Sequence, residues 1–205
     1  MILAIDVGNT NIVLGCIDDQ KVYFTERVST DPAKTELEYA VAVKTVLELY
    51  NIRKEDITGA VISSVVPPLN GIFSSAINKL LNVKPIIVGP GVKNGLNILM
   101  DNPKQLGADL VVDAVAGIHE YGAPLIIVDM GTATTICVID RNKNYIGGVI
   151  IPGVHVSLDS LTSKTSQLPK ISLGHPKKVI CTNTIDSMES GMVFGQASCL
   201  DGMIE

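Results

Sequence analysis

Aromatic residues are scarce in this chain of 205 residues, since they make up 4% of it and tryptophan is absent. The hydrophobic share is nevertheless 46%, so the apolar residues are mostly aliphatic. An aliphatic composition is typical of parallel strands that helices cover on both faces. The length allows one large or two small domains with a sizeable core. These numbers favour an α/β protein.

Clusters of positive charge and of metal-ligating side chains are also lacking. The net charge is −5 and no basic stripe is visible, which argues against a nucleic-acid partner. Four dispersed cysteines form no C-x-x-C pair and are expected to be buried or free thiols of a reducing compartment: Cys16, Cys137, Cys181 and Cys199. The histidines show no ligand spacing, so we expect no histidine metal site: His119, His155 and His175.

Long apolar runs are missing too. No run reaches the roughly 18 residues that a membrane span needs. Asp6 interrupts the apolar start of the chain, so we expect no signal peptide. The sequence therefore predicts a cytoplasmic protein without a membrane partner.

What the chain does contain is a repeated turn. Asp6-Val7-Gly8-Asn9-Thr10-Asn11 follows the apolar run Ile2-Leu3-Ala4-Ile5, and Asp129-Met130-Gly131-Thr132-Ala133-Thr134-Thr135 follows Leu125-Ile126-Ile127-Val128. An aspartate at the end of a buried strand is costly unless it meets a cation or hydrogen-bond donors. Glycine lets the backbone approach a phosphate, threonine and asparagine can donate to its oxygens, and a carboxylate suits Mg²⁺. Two ordinary hairpin turns are the alternative, but the repeated aspartate favours duplicated halves that face each other across a nucleotide.

Hydrophobic periodicity predicts the same opening in both halves of the chain. Three strands including a hairpin are expected in each half, at 2–7, 11–17 and 21–28, and at 125–129, 134–140 and 145–150. The first half continues with a helix, a strand, a helix and a strand, at 35–50, 59–65, 67–82 and 85–88. This order is typical of a mixed sheet of the ribonuclease-H-like type.

The remaining segments complete the expected architecture. A polar loop over 94–109 and a helix from Gln105 to Tyr121 are expected between the halves; a helix to about Thr162, a loop over 163–178 and a helix over 184–205 are expected at the end. Duplication predicts a further strand and helix after that last helix, so we expect either a fragment or a curtailed second domain. We therefore predict two tandem ribonuclease-H-like domains, residues 1–104 and 105–205, the second incomplete.

Several separated motifs, taken together, resemble type III pantothenate kinases. They stand in the family's order: Asp6-x-Gly-Asn-Thr-Asn, Asn102-Pro103-x-x-x-Gly107-Ala108-Asp109, Asp129-x-Gly-Thr-Ala-Thr-Thr, Gly147-Gly148-x-Ile-x-Pro152-Gly153 and Thr182-Asn183-Thr184. The similarity extends over essentially the whole chain. It implies the actin-like ATPase fold, which sugar kinases and chaperone ATPases share. It also implies a cytoplasmic homodimer that phosphorylates pantothenate with ATP in the first step of coenzyme A synthesis, using Mg²⁺ and a monovalent cation, K⁺ or NH₄⁺.

The resemblance also implies a role for each matching position. Asp109 would be the general base that takes the proton from the pantothenate hydroxyl. Asp6 would hold Mg²⁺ through water, and Asp129 would coordinate the monovalent cation. ATP would contact Asp6, Val7, Gly8, Asn9, Thr10, Asn11, Ile12, Val13 and Thr132, and the acceptor would contact Met100, Gly107, Ala108, Leu110 and Thr184.

Two acceptor positions depart from the family pattern. The family usually reads Gly-Ala-Asp-Arg where this chain has Leu110, and it usually has tyrosine where this chain has Met100. Leucine cannot replace a bidentate guanidinium donor. Two alternatives therefore stay open: a nucleotide-binding inactive paralogue or regulator, and a kinase for another small hydroxylated acceptor.

Three of the acceptor-site residues also have purely structural interpretations. Leu110 could belong to the buried face of the helix over 105–121. Asp109 could stabilise the N-terminus of that helix through the helix dipole. Thr184 could be the N-cap of the last helix.

Overall fold

The computed structural model describes residues 1–89 and 91–205. Two compact units divide it, residues 1–125 with 138–147, and residues 126–137 with 148–205. The predicted boundary between residues 104 and 105, which divides the two duplicated domains, stays a prediction. In the part of the chain that the structure describes, no helix is both long and apolar enough to cross a membrane.

The first sheet is mixed, as the sequence predicted. Its strands are β1 (Ile2–Val7), β2 (Asn11–Ile17), β3 (Val22–Ser29), β4 (Gly59–Ser64) and β5 (Ile86–Ile87), in the order β3-β2-β1-β4-β5. β1 pairs antiparallel with β2 and parallel with β4. The parallel pairing brings the carboxyl ends of β1 and β4 to the same edge of the sheet.

Side-chain alternation assigns the two faces of this sheet. In β1, Leu3, Ile5 and Val7 are buried, and in β4 the register partners of the first two are Ala60 and Ile62. This face packs with the buried residues of α1 (Glu36–Leu49) and α2 (Pro67–Leu81). Because alternate residues of a strand point to opposite faces, the other face carries the remaining partners, Ala4 with Val61 and Asp6 with Ser63.

Local sequence signals explain where these two helices begin and end. Thr35 and Glu38 form a capping box, in which Thr35 Oγ1 accepts from the N–H of Glu38 at 3.4 Å and the N–H of Thr35 donates to Glu38 Oε2 at 2.8 Å. Pro67 stands in the first turn of α2, where its missing N–H has no helical partner to lose. Asn82 ends that helix in the left-handed conformation, with φ 54°.

The second sheet repeats the strand-turn-strand opening. Its strands are β6 (Asn97–Ile98), β7 (Leu125–Met130), β8 (Ala133–Ile139) and β9 (Asn144–Pro152), in the order β6-β9-β8-β7. The other helices are α3 (Ala108–Tyr121), α4 (Val154–Lys164) and α5 (Thr184–Ile204). The predicted strands and helices of the second half are confirmed, apart from the start of α3. The four cysteines form no disulfide among the described residues, and Cys16 and Cys137 are buried.

The predicted loop over residues 94–109 was wrong in two respects. It contains the short strand β6, in which Asn97 Nδ2 donates to Asn144 Oδ1 at 2.7 Å. It also contains a 3₁₀ turn over Pro103–Gln105, so that α3 begins at Ala108 and not at Gln105. Asn102 caps that turn by accepting from the N–H of Lys104 at 3.3 Å. Polar residues that serve as sheet partners and caps resemble loop residues in a periodicity analysis.

Candidate active site

The first repeated turn is a closed backbone loop at the carboxyl end of β1. The N–H of Gly8 donates to the carbonyl of Asn11 at 3.0 Å. A Cβ atom on Gly8 would lie 2.9 Å from that same carbonyl oxygen, so only glycine fits here without displacement of the backbone. The loop has the tight backbone that a phosphate-binding turn requires.

Thr30, the residue after β3, holds this loop from the side. Its Oγ1 donates to the carbonyl of Gly8 at 2.7 Å, and its N–H donates to the carbonyl of Thr10 at 3.0 Å. The two bonds use carbonyl oxygens of the loop and none of its N–H groups. Sequence reasoning missed Thr30, because a threonine at the end of a strand has no distinguishing signal.

A carboxylate and a hydroxyl occupy paired positions of β1 and β4, next to this loop. Asp6 is half-buried near the end of β1, and its register partner in β4 is Ser63, which is 5% exposed. Among the described residues, the Oγ of Ser63 has no hydrogen-bond partner. Carboxylate oxygens next to a phosphate-binding turn suit a hydrated Mg²⁺ with a phosphate chain. The residues of this edge therefore fit the nucleotide and metal that the resemblance implies.

The proposed base lies in the first turn of α3, which contacts β4. Asp109 Oδ1 accepts from the N–H of Leu110 at 2.8 Å. A Cβ atom on Gly107 would overlap that Oδ1 and would lie 3.7 Å from Cγ1 of Val65, the residue that follows β4. The start of α3 is thus beside the end of β4, near the edge that carries Asp6 and Ser63.

The other acceptor residues of this segment differ in exposure. Ala108 is buried and packs in the first turn of α3, whereas Gly107, Leu110 and Met100 are half-buried. The structural interpretations of Asp109 and Leu110 therefore both hold in part. Asp109 satisfies a backbone N–H at a helix N-terminus, and Leu110 is half-buried.

The second repeated turn is also closed by a backbone hydrogen bond from its glycine, which reaches two residues ahead instead of three. The N–H of Gly131 donates to the carbonyl of Ala133 at 3.0 Å, and the N–H of Gly153 donates to the carbonyl of Thr132 at 3.0 Å. A Cβ atom on Gly153 would overlap the carbonyl oxygens of Gly131 and Thr132. Glycine at 153 therefore allows the start of α4 to approach the turn. Asp129 and Thr132 are both exposed.

The interpretation of Thr184 as an N-cap is wrong. Asn183 is the N-cap of α5, because its Oδ1 accepts from the N–H of Asp186 at 2.9 Å. Thr184 is the first helical residue, and it lines a cavity of about 560 Å³ together with Leu161, Thr182 and Met188. The side chain of Thr184 is thus not required as a cap.

Comparison with known proteins decides the family. The family model described as type III pantothenate kinase matches residues 2–205. A type III pantothenate kinase from Halalkalibacterium halodurans is 49% identical over 205 residues, which is 100% of this chain and 81% of the relative. The chain belongs to the type III pantothenate kinase family. The family resemblance predicted from the separated motifs is thereby confirmed.

Solved structures confirm the fold of this family member. A conserved putative Baf family transcriptional activator from Campylobacter jejuni has a TM-score of 0.55 at 19% identity, covering 98% of this chain and 78% of its own. A putative 2-dehydro-3-deoxygalactonokinase protein from Sinorhizobium meliloti has a TM-score of 0.55 at 11% identity, covering 80% and 57%. Both structures share the α/β fold of this chain, in which helices flank two sheets, as predicted.

Proposed function

We propose that this chain transfers the terminal phosphoryl group of ATP to the hydroxyl of pantothenate, in the first step of coenzyme A synthesis. Family membership over residues 2–205 supports the reaction. The observation that carries it in the structure is the closed turn after Asp6, at the sheet edge beside the helix that begins with Asp109. Phosphoryl transfer depends mainly on alignment and charge neutralisation, which such an edge supplies.

The first turn would bind the phosphate chain of ATP. Its backbone and side chains over residues 6–13 offer N–H, hydroxyl and amide donors to phosphate oxygens. Thr30 keeps the backbone of the turn fixed while a nucleotide binds, and Thr132 of the second turn would contact ATP as well. A bound Mg²⁺ would neutralise phosphate charge, with Asp6 holding it through water, and Asp129 would bind K⁺ or NH₄⁺.

Asp109 would remove the proton from the acceptor hydroxyl. Its Oδ1 is tethered by the N–H of Leu110, which fixes the plane of the carboxylate. Of its two oxygens, Oδ2 makes no hydrogen bond within the described residues, so it is the oxygen we assign as the proton acceptor. Acceptor contacts would come from Met100, Gly107, Ala108, Leu110 and Thr184.

The wider assignments rest on the family. We expect a cytoplasmic homodimer, and we interpret the repeated three-strand opening as a duplication with its boundary between residues 104 and 105. Leu110 favours a second candidate function, phosphorylation of another small hydroxylated acceptor, because the guanidinium that the family pattern offers to an acid is lost. A nucleotide-binding protein without turnover is the third.

One assay separates these functions. ATP consumption is measured by a coupled assay with and without pantothenate, in K⁺ and in Na⁺. We expect turnover that requires pantothenate and is faster in K⁺. Turnover independent of pantothenate would favour another acceptor, and nucleotide binding without any turnover would favour the regulator.

A further inference from the structure

Ser63 presents an unusual combination of burial and chemistry. Its side chain is 5% exposed, and its Oγ meets no hydrogen-bond partner among the described residues. A hydroxyl buried without a partner lowers the stability of a fold, so such groups are rare and concentrate where a function uses them. An alanine would fill the same position in β4 without that cost.

The position of Ser63 in the sheet indicates Asp6 as the partner of its hydroxyl. Ser63 and Asp6 are register partners in parallel strands and point to the same face of the sheet, opposite the face that α1 and α2 cover. Neighbouring strands lie about 4.8 Å apart. At this spacing the side chains of Ser63 and Asp6 are neighbours on one face of the sheet, which allows a hydrogen bond between Oγ and the carboxylate.

Ser64, the next residue of β4, has a hydroxyl with a purely structural role. Its Oγ accepts from the N–H of Val66 at 3.1 Å and donates to the carbonyl of the same residue at 3.3 Å. These bonds stabilise the turn from β4 to α2. The hydroxyl of Ser64 is therefore hydrogen-bonded, whereas that of Ser63 has no partner in the described part of the chain. A substitution of Ser64 can serve as the control for a substitution of Ser63.

We propose that Ser63 is a positioning residue for the metal-nucleotide site, whose Oγ–H donates to the carboxylate of Asp6 in the nucleotide-bound state. The bond selects one orientation of the carboxylate towards the water shell of Mg²⁺. Burial of Ser63 keeps competing bulk water away from this bond. The inference rests on the proposed role of Asp6 in nucleotide binding.

The test compares Ser63→Ala with Ser64→Ala in the full chain. The measured quantity is the Mg²⁺ concentration that gives half of the maximal rise in Tm at a fixed concentration of a non-hydrolysable ATP analogue. We expect Ser63→Ala to keep or raise the ligand-free Tm, and to need about 10-fold more Mg²⁺. Ser64→Ala should lower the ligand-free Tm and leave the Mg²⁺ requirement unchanged.

Ser63→Cys provides a second variant of nearly unchanged size with a weaker donor, and it should shift the Mg²⁺ requirement in the same direction. A wild-type Mg²⁺ requirement in both Ser63 variants would overturn the inference while leaving the proposed function intact. Absence of any Mg²⁺-dependent rise in the wild-type protein would instead contradict the nucleotide site itself, and the inference with it.

Discussion

The carboxylate of Asp109 has two oxygens in different surroundings, and this difference permits a test of the base. Oδ1 accepts from the N–H of Leu110, an interaction that an asparagine oxygen can preserve. We expect Asp109→Asn to lower the rate of phosphoryl transfer by about 10²- to 10⁴-fold, because the amide cannot take a proton. Single-turnover kinetics measure the loss, and calorimetric titration with an ATP analogue should show nucleotide affinity unchanged. Transfer at the wild-type rate would refute the assignment of the base.

Leu110 is the residue that separates this chain from the family pattern at the acceptor. Its side chain is half-buried in the first turn of α3, so part of it is accessible to solvent. We expect Leu110→Arg to lower the pantothenate KM by about 10-fold, since a hydrogen bond to a charged group contributes about 1.5–3 kcal/mol. Steady-state kinetics at saturating ATP measure it.

Leu110→Lys is the matched control for this substitution. Lysine adds the same charge without the bidentate donor fork, so it should lower KM less than arginine does. If neither cation changes KM, another residue already binds the acidic end of the acceptor.

At the scale of elements, the β8–β9 hairpin depends on one carboxylate. Asp140 Oδ1 accepts from the N–H groups of Asn142 and Asn144, both at 2.8 Å, and its Oδ2 accepts from the side-chain amide of Asn144 at 2.8 Å. The backbone N–H of Asn144, followed by its amide, holds the pKa of Asp140 below the usual range. The turn residue Lys143 has a φ of 64°, so these bonds offset an unfavourable backbone conformation.

This lowered pKa predicts the pH dependence of an Asp140→Asn variant. A carboxyl whose pKa is lower in the folded state stabilises the fold above its unfolded pKa, about 3.9, and that stability is lost as the pH falls through the folded value. We expect the variant to have a lower Tm than the wild type at pH 7, with the difference shrinking towards pH 2. Thermal unfolding followed by circular dichroism at several pH values measures it. A Tm difference independent of pH would show that the ionised form has no special role in the turn.

The elements also show what the sequence can and cannot predict. The Asp6 and Asp129 turns were recognisable because each follows an apolar run and contains glycine, and both proved to be closed loops. The strand at Asn97 was missed, because its pairing partner in β9, Asn144, is distant in sequence. Ser63 was missed for the same reason, since the register between β1 and β4 places it beside Asp6. Periodicity indicates which face a residue occupies, and it contains no information on the partner across the sheet.

At the scale of the whole molecule, the fold and the activity are supported by different relatives. Two solved structures at 11% and 19% identity share the fold, and these proteins are named for different activities. Such a likeness identifies the α/β architecture and leaves the chemistry open. The functional proposal is supported by the 49% identity to a pantothenate kinase over the entire chain, together with the closed turn after Asp6 beside the helix of Asp109.

Binding of the proposed ligands should raise the Tm of the whole chain. A ligand that binds only the folded state adds about 2.7 kcal/mol at 100 times its Kd, which corresponds to a Tm rise of about 5–10 °C for a chain of this size. We expect this rise with Mg²⁺ and a non-hydrolysable ATP analogue, and we expect K⁺ to increase it more than Na⁺ does. Asp129→Asn should remove the advantage of K⁺ while the rise in Na⁺ persists. An equal K⁺ advantage in the variant and in the wild type would place the monovalent cation on residues other than Asp129.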